Sequence, residues 1–296
     1  MKLNLQDGEV QYDLALIEPP LDNKMLKLKN EFMYANYHLE VQEQRLMYTA
    51  MSSFDCTSFL QDANVLKELN EPDPITGALS KPDFAKITPA LLNKVFWCPE
   101  LRSVVLPVYD LLLSAGTQNY NALDDAVSQL QKRMFTIDWT NDDRARVRRS
   151  ISPIELIERV ENADGKKEIV ITFTQSFMQY IVAFSGYRKI DLEILRGLRG
   201  IYTSRYYEWF CFKLQNNKKV TFEMSVAEIK KRFEIPDDAY KKQFFQRVVQ
   251  KAQEEITEKT DLDVSVSRVV DTKKRGRPLK AVRFFVARKT TKMTRA

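Results

Sequence analysis

From Pro236 to Ile256 the apolar positions recur at helical spacing. Phe245, Val248, Val249, Ala252 and Ile256 fall at i, i+3, i+4, i+7 and i+11, which gives a helix one apolar face. Tyr240, Gln243, Arg247 and Gln250 fall on the opposite side, where they can donate and accept hydrogen bonds. The next two runs, DVSVSRVV and LKAVRFFV, alternate apolar with polar as half-buried strands do. Between them lies DTKKRGRP, whose Lys273, Lys274, Arg275 and Arg277 place four cations around Gly276. The pattern therefore predicts a helix followed by a hairpin with a basic tip.

A similar order occurs earlier. Leu123, Val127, Leu130 and Met134 give an apolar face to a helix over Asn119–Phe135, with Asn119 or Asn121 as cap and Gln129, Gln131, Lys132 and Arg133 on its other side. Phe135–Trp139 alternates like a strand. A polar turn over Asn141–Ser150 carries Arg144, Arg146, Arg148 and Arg149, and a second strand-like run, Glu168–Thr174, follows a turn at Ala163–Gly165. Helix, strand, basic insertion, strand is the C-terminal order again. A polar-faced helix beside a cationic hairpin is the layout of a winged-helix duplex reader, with the helix in the major groove and the wing along the backbone or minor groove. The fold class expected is α+β: two tandem winged-helix domains, helix-rich, with small antiparallel β-hairpin wings.

The remaining segments fill in this plan. Asn36–Met51 has near-helical spacing of Leu39, Leu46, Met47 and Ala50. Residues 70–82, rich in proline, form a loop, and Ile87–Leu113 holds two helices interrupted at Pro99 and Pro107. Phe177–Lys189 is expected beneath the first sheet, and a helix near Leu192–Leu198 opens the second domain. The run TSRYYEWFCFKL, Thr203–Leu214, has the aromatics of a single-strand stacking platform, but their helical setting favours core packing. Val220–Met224 reads as a strand, and Ser225 with Glu228 as a capping box for the helix after it. The resulting division is an N-terminal arm over residues 1–29, a first domain over 30–188, a second over 189–290, and a basic tail over 291–296.

Charge sharpens the picture. Arg188–Ala296 holds 27 Lys/Arg against 14 Asp/Glu, a balance of +13, while Met1–Tyr187 holds 19 against 26, or −7. A basic C-terminal part coinciding with the helix–hairpin pattern points to a polyanion, namely double-stranded DNA. No run of 18 apolar residues spans a membrane, and the N-terminus lacks a leader pattern, so a bacterial cytoplasmic location is expected. Cys56, Cys98 and Cys211 are odd in number and widely spaced, as reduced core thiols are. His38 is the only histidine, so no His-x-His metal pair for nicking chemistry exists, and no phosphate-binding G-x-x-x-x-G-K-[ST] loop occurs. Asp142-Asp143 and Asp237-Asp238 read as a turn and a helix start. No catalytic residue, metal or cofactor is expected.

SRYYEWF, FEMSVAEIKKRFEIPDDAY, FFQRVVQKAQEEITEKTDL and KKRGRPLKAVRFFV follow in the order, and at similar spacing, of the second domain of iteron-binding plasmid replication initiators, which this chain resembles. EVQEQRLMYTAMS, with Gln44-Arg45, resembles that family's first N-terminal helix, and DDAVSQLQKRMFTI the recognition helix and strand of its first domain. The likeness covers most of residues 30–290 and is looser through 55–115 and 140–170, where this chain carries extra segments. It implies monomers that bind direct repeats at an origin, open adjacent DNA, and recruit the host initiator and replicative helicase. It also implies homodimers, in equilibrium with the monomers, that occlude the origin or repress the initiator's own promoter. A transcriptional repressor of the same fold without origin function fits the residues too, and a nicking enzyme stands against the histidine count.

The base-edge candidates are Gln243, Gln246, Arg247 and Gln250, since Arg pairs bidentately with guanine and Gln with adenine. Lys241, Lys242 and Lys251 are phosphate candidates, Lys242 being equally well a solvated flank. Lys273, Lys274, Arg275, Gly276 and Arg277 form the wing tip, whose Arg-Gly-Arg-Pro has the core of a minor-groove hook. Ser204 and Arg205 are phosphate candidates near a helix N-terminus. In the first domain the candidates are Asn121, Gln129, Lys132, Arg133, Arg146, Arg148 and Arg149. There the alternatives are an internal acid for Arg133 and a solvated loop for the other arginines.

Overall fold

The computed structural model of the chain describes residues 25–54, 87–115, 120–140, 145–182, 187–240, 243–273 and 275–289. Strand β1 (Met25–Lys29) leads through a short 3-10 turn to helix α1 (Val41–Ser53). Helix α2 (Pro89–Val95), strand β2 (Ser103–Pro107), and helices α3 (Val108–Ala115) and α4 (Tyr120–Leu130) follow. Next come strands β3 (Phe135–Thr140), β4 (Arg146–Ile151), β5 (Ile154–Glu161) and β6 (Lys167–Phe173), helix α5 (Met178–Ile181) and strand β7 (Tyr187–Asp191). The C-terminal part holds helices α6 (Leu192–Gly197) and α7 (Thr203–Leu214), strand β8 (Lys219–Ser225) and helix α8 (Val226–Arg232). Helix α9 then runs as a π-helix over Phe245–Gln250 and an α-helix over Lys251–Lys259, before strands β9 (Leu262–Val270) and β10 (Leu279–Arg288).

Two three-stranded antiparallel sheets share one topology. The order is β2-β6-β5 in the first and β8-β10-β9 in the second, so the last strand of each unit lies between the other two. In each unit a strand leads into two helices and ends on a hairpin: β2, α3, α4, β5–β6, with β3 and β4 inserted before β5, and β8, α8, α9, β9–β10. These are two winged helices in tandem.

The topology corrects the expected layout of the first one. The turn expected over Asn141–Ser150 contains strand β4, which pairs with β3 as a separate two-stranded hairpin, Asp138 opposite Arg148. The wing of the first unit is instead β5–β6, with its turn at Asn162–Lys166. β2 replaces part of the expected helical run over 87–113, and Met25–Lys29, inside the expected arm, pairs with β7 with Leu26 and Leu28 buried. The proline-rich loop of residues 70–82 and Cys56 lie outside the described residues.

Helix α7 is the hub. Eleven of its twelve residues are buried, Lys213 being the exception. Tyr206 and Phe210 pack on Phe284 of β10, and Phe210 and Trp209 on Phe222 of β8, with ring centroids 5.4–6.2 Å apart. The run TSRYYEWFCFKL is therefore core. Its opposite face belongs to the first unit. The Arg205 guanidinium donates to Glu208 at 2.9 Å, to the Tyr37 hydroxyl at 2.7 Å and to the Ala35 carbonyl at 2.9 Å, while Tyr48 donates to Glu208. The apolar cores of both units thus form one continuous cluster. Helix α8 adds a second link. Lys231 pairs with Asp138 of β3, and the Arg232 guanidinium lies between the rings of Tyr34 and Trp209, at 5.3 and 5.2 Å.

Candidate nucleic-acid interface

The second unit's reading helix does not begin where its periodicity suggests. Residues 236–240 form turns, with Tyr240 in the left-handed region (φ +60°), so the helical path starts near Gln243 instead of Pro236. Tyr240 leaves the expected polar face. Its hydroxyl meets that of Tyr202 at 3.1 Å, fixing the entry to the helix against α7. Ser225 caps α8 by accepting the Glu228 N–H at 3.0 Å. Glu228 does not close a capping box and pairs with Arg232 instead.

The π turn then sets which side faces out. In it an N–H reaches the carbonyl five residues back, as Lys251 does to Gln246, which widens the helix and shifts the apolar spacing. Phe244, Val248, Val249, Ala252 and Ile256 are buried, and Phe245, expected as the first core residue, is only half-buried. Gln243, Gln246, Arg247 and Lys251 consequently stand exposed on one row. Among the described residues their side chains make no hydrogen bond or ion pair. Gln250 donates to Glu254 at 2.9 Å. Arg268 on β9, absent from the candidates drawn from sequence, lies 5.3 Å above the Phe245 ring and adds a cation where helix meets wing. Its outward position on an alternating strand was the available signal.

The wing projects into solvent. β9 and β10 pair in register from Leu262–Arg288 to Val269–Ala281, and the tip closes with the Asp271 N–H on the Pro278 carbonyl at 2.9 Å. Lys273, Arg275 and Arg277 are exposed. Gly276 takes φ +80°, a region where any β-carbon would strain the turn, and Arg277 follows it at φ +42°. Lys241, Lys242 and Lys274 lie outside the described residues.

The first unit offers a weaker polyanion surface. The outer face of α4 exposes Asn121 and Gln129, with Lys132 exposed in the turn after it, but also Asp124 and Asp125, and Arg159 of β5 pairs with Asp124 at 2.8 Å. Arg133 is a clamp, gripping buried Glu43 of α1 through two bonds of 2.8 Å. Arg146, Arg148 and Arg149 are exposed on β4, not on the wing. Arg148 pairs with Asp138 at 3.0 Å and Arg146 approaches it at 3.9 Å. Lys231's hydrogen bond, and then Arg148's, hold the Asp138 carboxyl below its ordinary pKa.

Ser204 and Arg205 require correction. They are 4% and 5% exposed, and Arg205 is committed to Glu208, Tyr37 and Ala35, so neither reaches a phosphate. Burial pushes the Glu208 carboxyl up, against the pull of Arg205. Cys211 is the one core thiol among the described cysteines, raised to about 12 by burial, whereas Cys98 is partly exposed. Among the described residues no group of three or more His, Cys, Asp or Glu is placed to hold a metal ion, and no helix is long and apolar enough to cross a membrane.

Two winged helices on a shared core, one with a hydrogen-bonding helix row beside an arginine-tipped wing, define a DNA-binding protein of the tandem winged-helix class. The WH1 domain of the initiator replication proteins matches residues 85–211, and the WH2 domain of the initiator Rep proteins matches residues 225–286. Between them they cover more than half of the chain, which belongs to the initiator Rep protein family, a family of plasmid-type DNA-binding replication initiators. The WH1 match runs on into α7, the helix that both units bury. Among solved structures, the chain is similar to domains 2 and 3 of RctB at 12% identity, over 69% of this chain and 80% of that one, with a TM-score of 0.38. No curated protein matches.

Proposed function

We propose that the protein initiates plasmid replication by binding repeated origin sequences (iterons), with α9 as the principal base reader and the β9–β10 wing on the adjacent backbone or minor groove. The observation that carries this is the exposed, unpartnered row Gln243, Gln246, Arg247 and Lys251 next to a solvent-projecting cationic wing. Arg and Gln in such a row can each pair bidentately with a purine edge, worth about 1–3 kcal/mol of discrimination. Lys273, Arg275, Arg277 and Arg268 supply the charge that holds the duplex, and Lys241, Lys242 and Lys274 add to it by composition. The first unit contributes accessory contacts through Asn121, Gln129, Lys132 and the β4 arginines. Monomers act at the repeats and help to open neighbouring DNA in the bacterial cytoplasm. They recruit the host initiator and replicative helicase, and homodimers repress.

The test is complementation. A plasmid retaining its origin repeats but lacking its replication gene is supplied with this chain in trans. Maintenance of the plasmid supports initiation. Binding to the repeats without maintenance reduces the role to transcriptional repression, and nicking of supercoiled DNA in magnesium contradicts the non-enzymatic reading.

A further inference from the structure

A cavity of about 900 Å³ opens where the two units meet, lined by none of the residues of α9 and the wing assigned to DNA. Three arginines line it: Arg45 from α1, Arg196 from α6 and Arg199 from the loop after α6. Thr49, Ser52 and Ser53 add hydroxyls, and Val105, Leu106, Pro107 and Leu111 an apolar wall. Asp110 and Glu193 also line it, leaving the cations in excess.

The walls are fixed. Arg45 donates to the carbonyls of Arg196 at 2.7 Å and Leu198 at 3.3 Å, and Arg196 donates to the Thr49 hydroxyl at 3.2 Å. The loop between them is held from the reading helix, where Glu255 accepts the N–H groups of Arg199 at 2.7 Å and Gly200 at 2.9 Å. Glycine suits position 200, because a β-carbon would sit 2.1 Å from the Thr203 hydroxyl oxygen and 2.9 Å from Glu255, and one of these side chains would have to shift. Desolvation depresses Arg45 and Arg196 below the ordinary arginine pKa, and Arg199 depresses Arg45 further. Like charges have thus been gathered and partly dried in a preformed hollow. Glu255, whose charge opposes the depression of Arg45, is already engaged by Lys259, Thr203 and two backbone N–H groups, and Glu193 opposes that of Arg196.

We propose that this hollow binds the phosphate groups of a small polyanion of nucleotide size, with Arg199 and Arg45 as its charge partners and the α1 hydroxyls completing the set. Arginine is suited to phosphate because its planar fork forms paired hydrogen bonds, and the volume falls in the range of small-ligand sites. A concave site takes a small ligand more readily than a duplex backbone, although a DNA phosphate presents the same chemistry.

Isothermal titration of the full chain with pyrophosphate, and separately with ADP, tests this. Arg199→Glu reverses a charge on an exposed side chain while leaving its backbone N–H in place. Saturable binding at a single site, weakened at least tenfold by Arg199→Glu and unchanged by Arg275→Ala/Arg277→Ala, is the expected result. A lack of saturation up to millimolar pyrophosphate and ADP overturns the proposal. So does equal weakening by the wing substitutions, which marks diffuse attraction to basic surface. A third contrary outcome is duplex affinity falling in Arg199→Glu as much as in the wing variant with no small anion bound, which makes the hollow a DNA-backbone contact.

Discussion

Replacing Arg205 with alanine removes the cation from the centre of the contact between the two units. Glu208, fully buried, then loses its 2.9 Å partner, and the Ala35 carbonyl and Tyr37 hydroxyl lose donors at 2.9 and 2.7 Å. Breaking a buried pair from one side costs about 3–5 kcal/mol, because the remaining charge stays in a poorly solvating place. That is a large share of a typical folding stability of roughly 5–15 kcal/mol. With a urea dependence of about 3 kcal/mol per molar, the unfolding midpoint should fall by about 1–2 M. Both units should weaken together, since α7 belongs to both cores. A pH signature accompanies the loss. Burial already raises the Glu208 pKa in the folded state, so its contribution to stability is full below the ordinary carboxylate value and lost as pH rises through the folded one. Without Arg205 to oppose burial the folded value climbs further, and the variant should lose stability with rising pH more steeply than the parent. Arg205→Ala/Glu208→Leu should recover much of the deficit by removing the stranded charge. An Arg205→Ala protein with an unchanged urea midpoint but weaker DNA binding and a flatter salt slope would refute the reasoning and restore Arg205 as a phosphate contact.

On the reading helix, Arg247→Ala and Gln243→Ala should each relax preference at particular base pairs by about 1–3 kcal/mol, seen as altered discrimination among single-base variants of the site. Arg275→Ala/Arg277→Ala should weaken all duplexes alike and lower the slope of log affinity against log salt by about 2. Asp138→Asn should blunt acid sensitivity. The Asp138 pKa is depressed by Lys231 and Arg148, so its stabilisation is present above the ordinary Asp value and lost as pH falls through the folded one; unfolding midpoints followed downward in pH should converge for the two proteins. Gly200→Ala should lower the melting temperature, because the added carbon meets Thr203 and Glu255, at a cost of about 1–3 kcal/mol.

Local pattern carried much of the second unit. Alternation placed β9 and β10, the Ser225 cap placed α8, and outward polar spacing placed Gln243 and Arg247. The π turn was not legible, since a helix of either bond spacing accepts the same residues, and it moved the first core position from Phe245 to Phe244. In the first unit the weak pattern misled. β5 buries only Ile154 fully, so it lacks the apolar alternation of a core strand, and β2 carries exposed Val105 between buried Val104 and Leu106 and ends on Pro107. Arg205 reads as exposed in the sequence because its partners are 168–170 residues away, and only Glu208, three positions on, is visible as a pair. Contacts of that range are set by the fold and leave no local mark.

The central claim is that α9 and its wing read a duplex. Selection of bound DNA from a random pool by the full chain at near-physiological salt, repeated with Arg247→Ala, addresses it most directly. The account predicts one enriched motif for the parent protein, present as direct repeats beside its gene, and loss of preference at one or two positions of that motif in the variant. An unenriched pool, or an identical motif selected by both proteins, would contradict it.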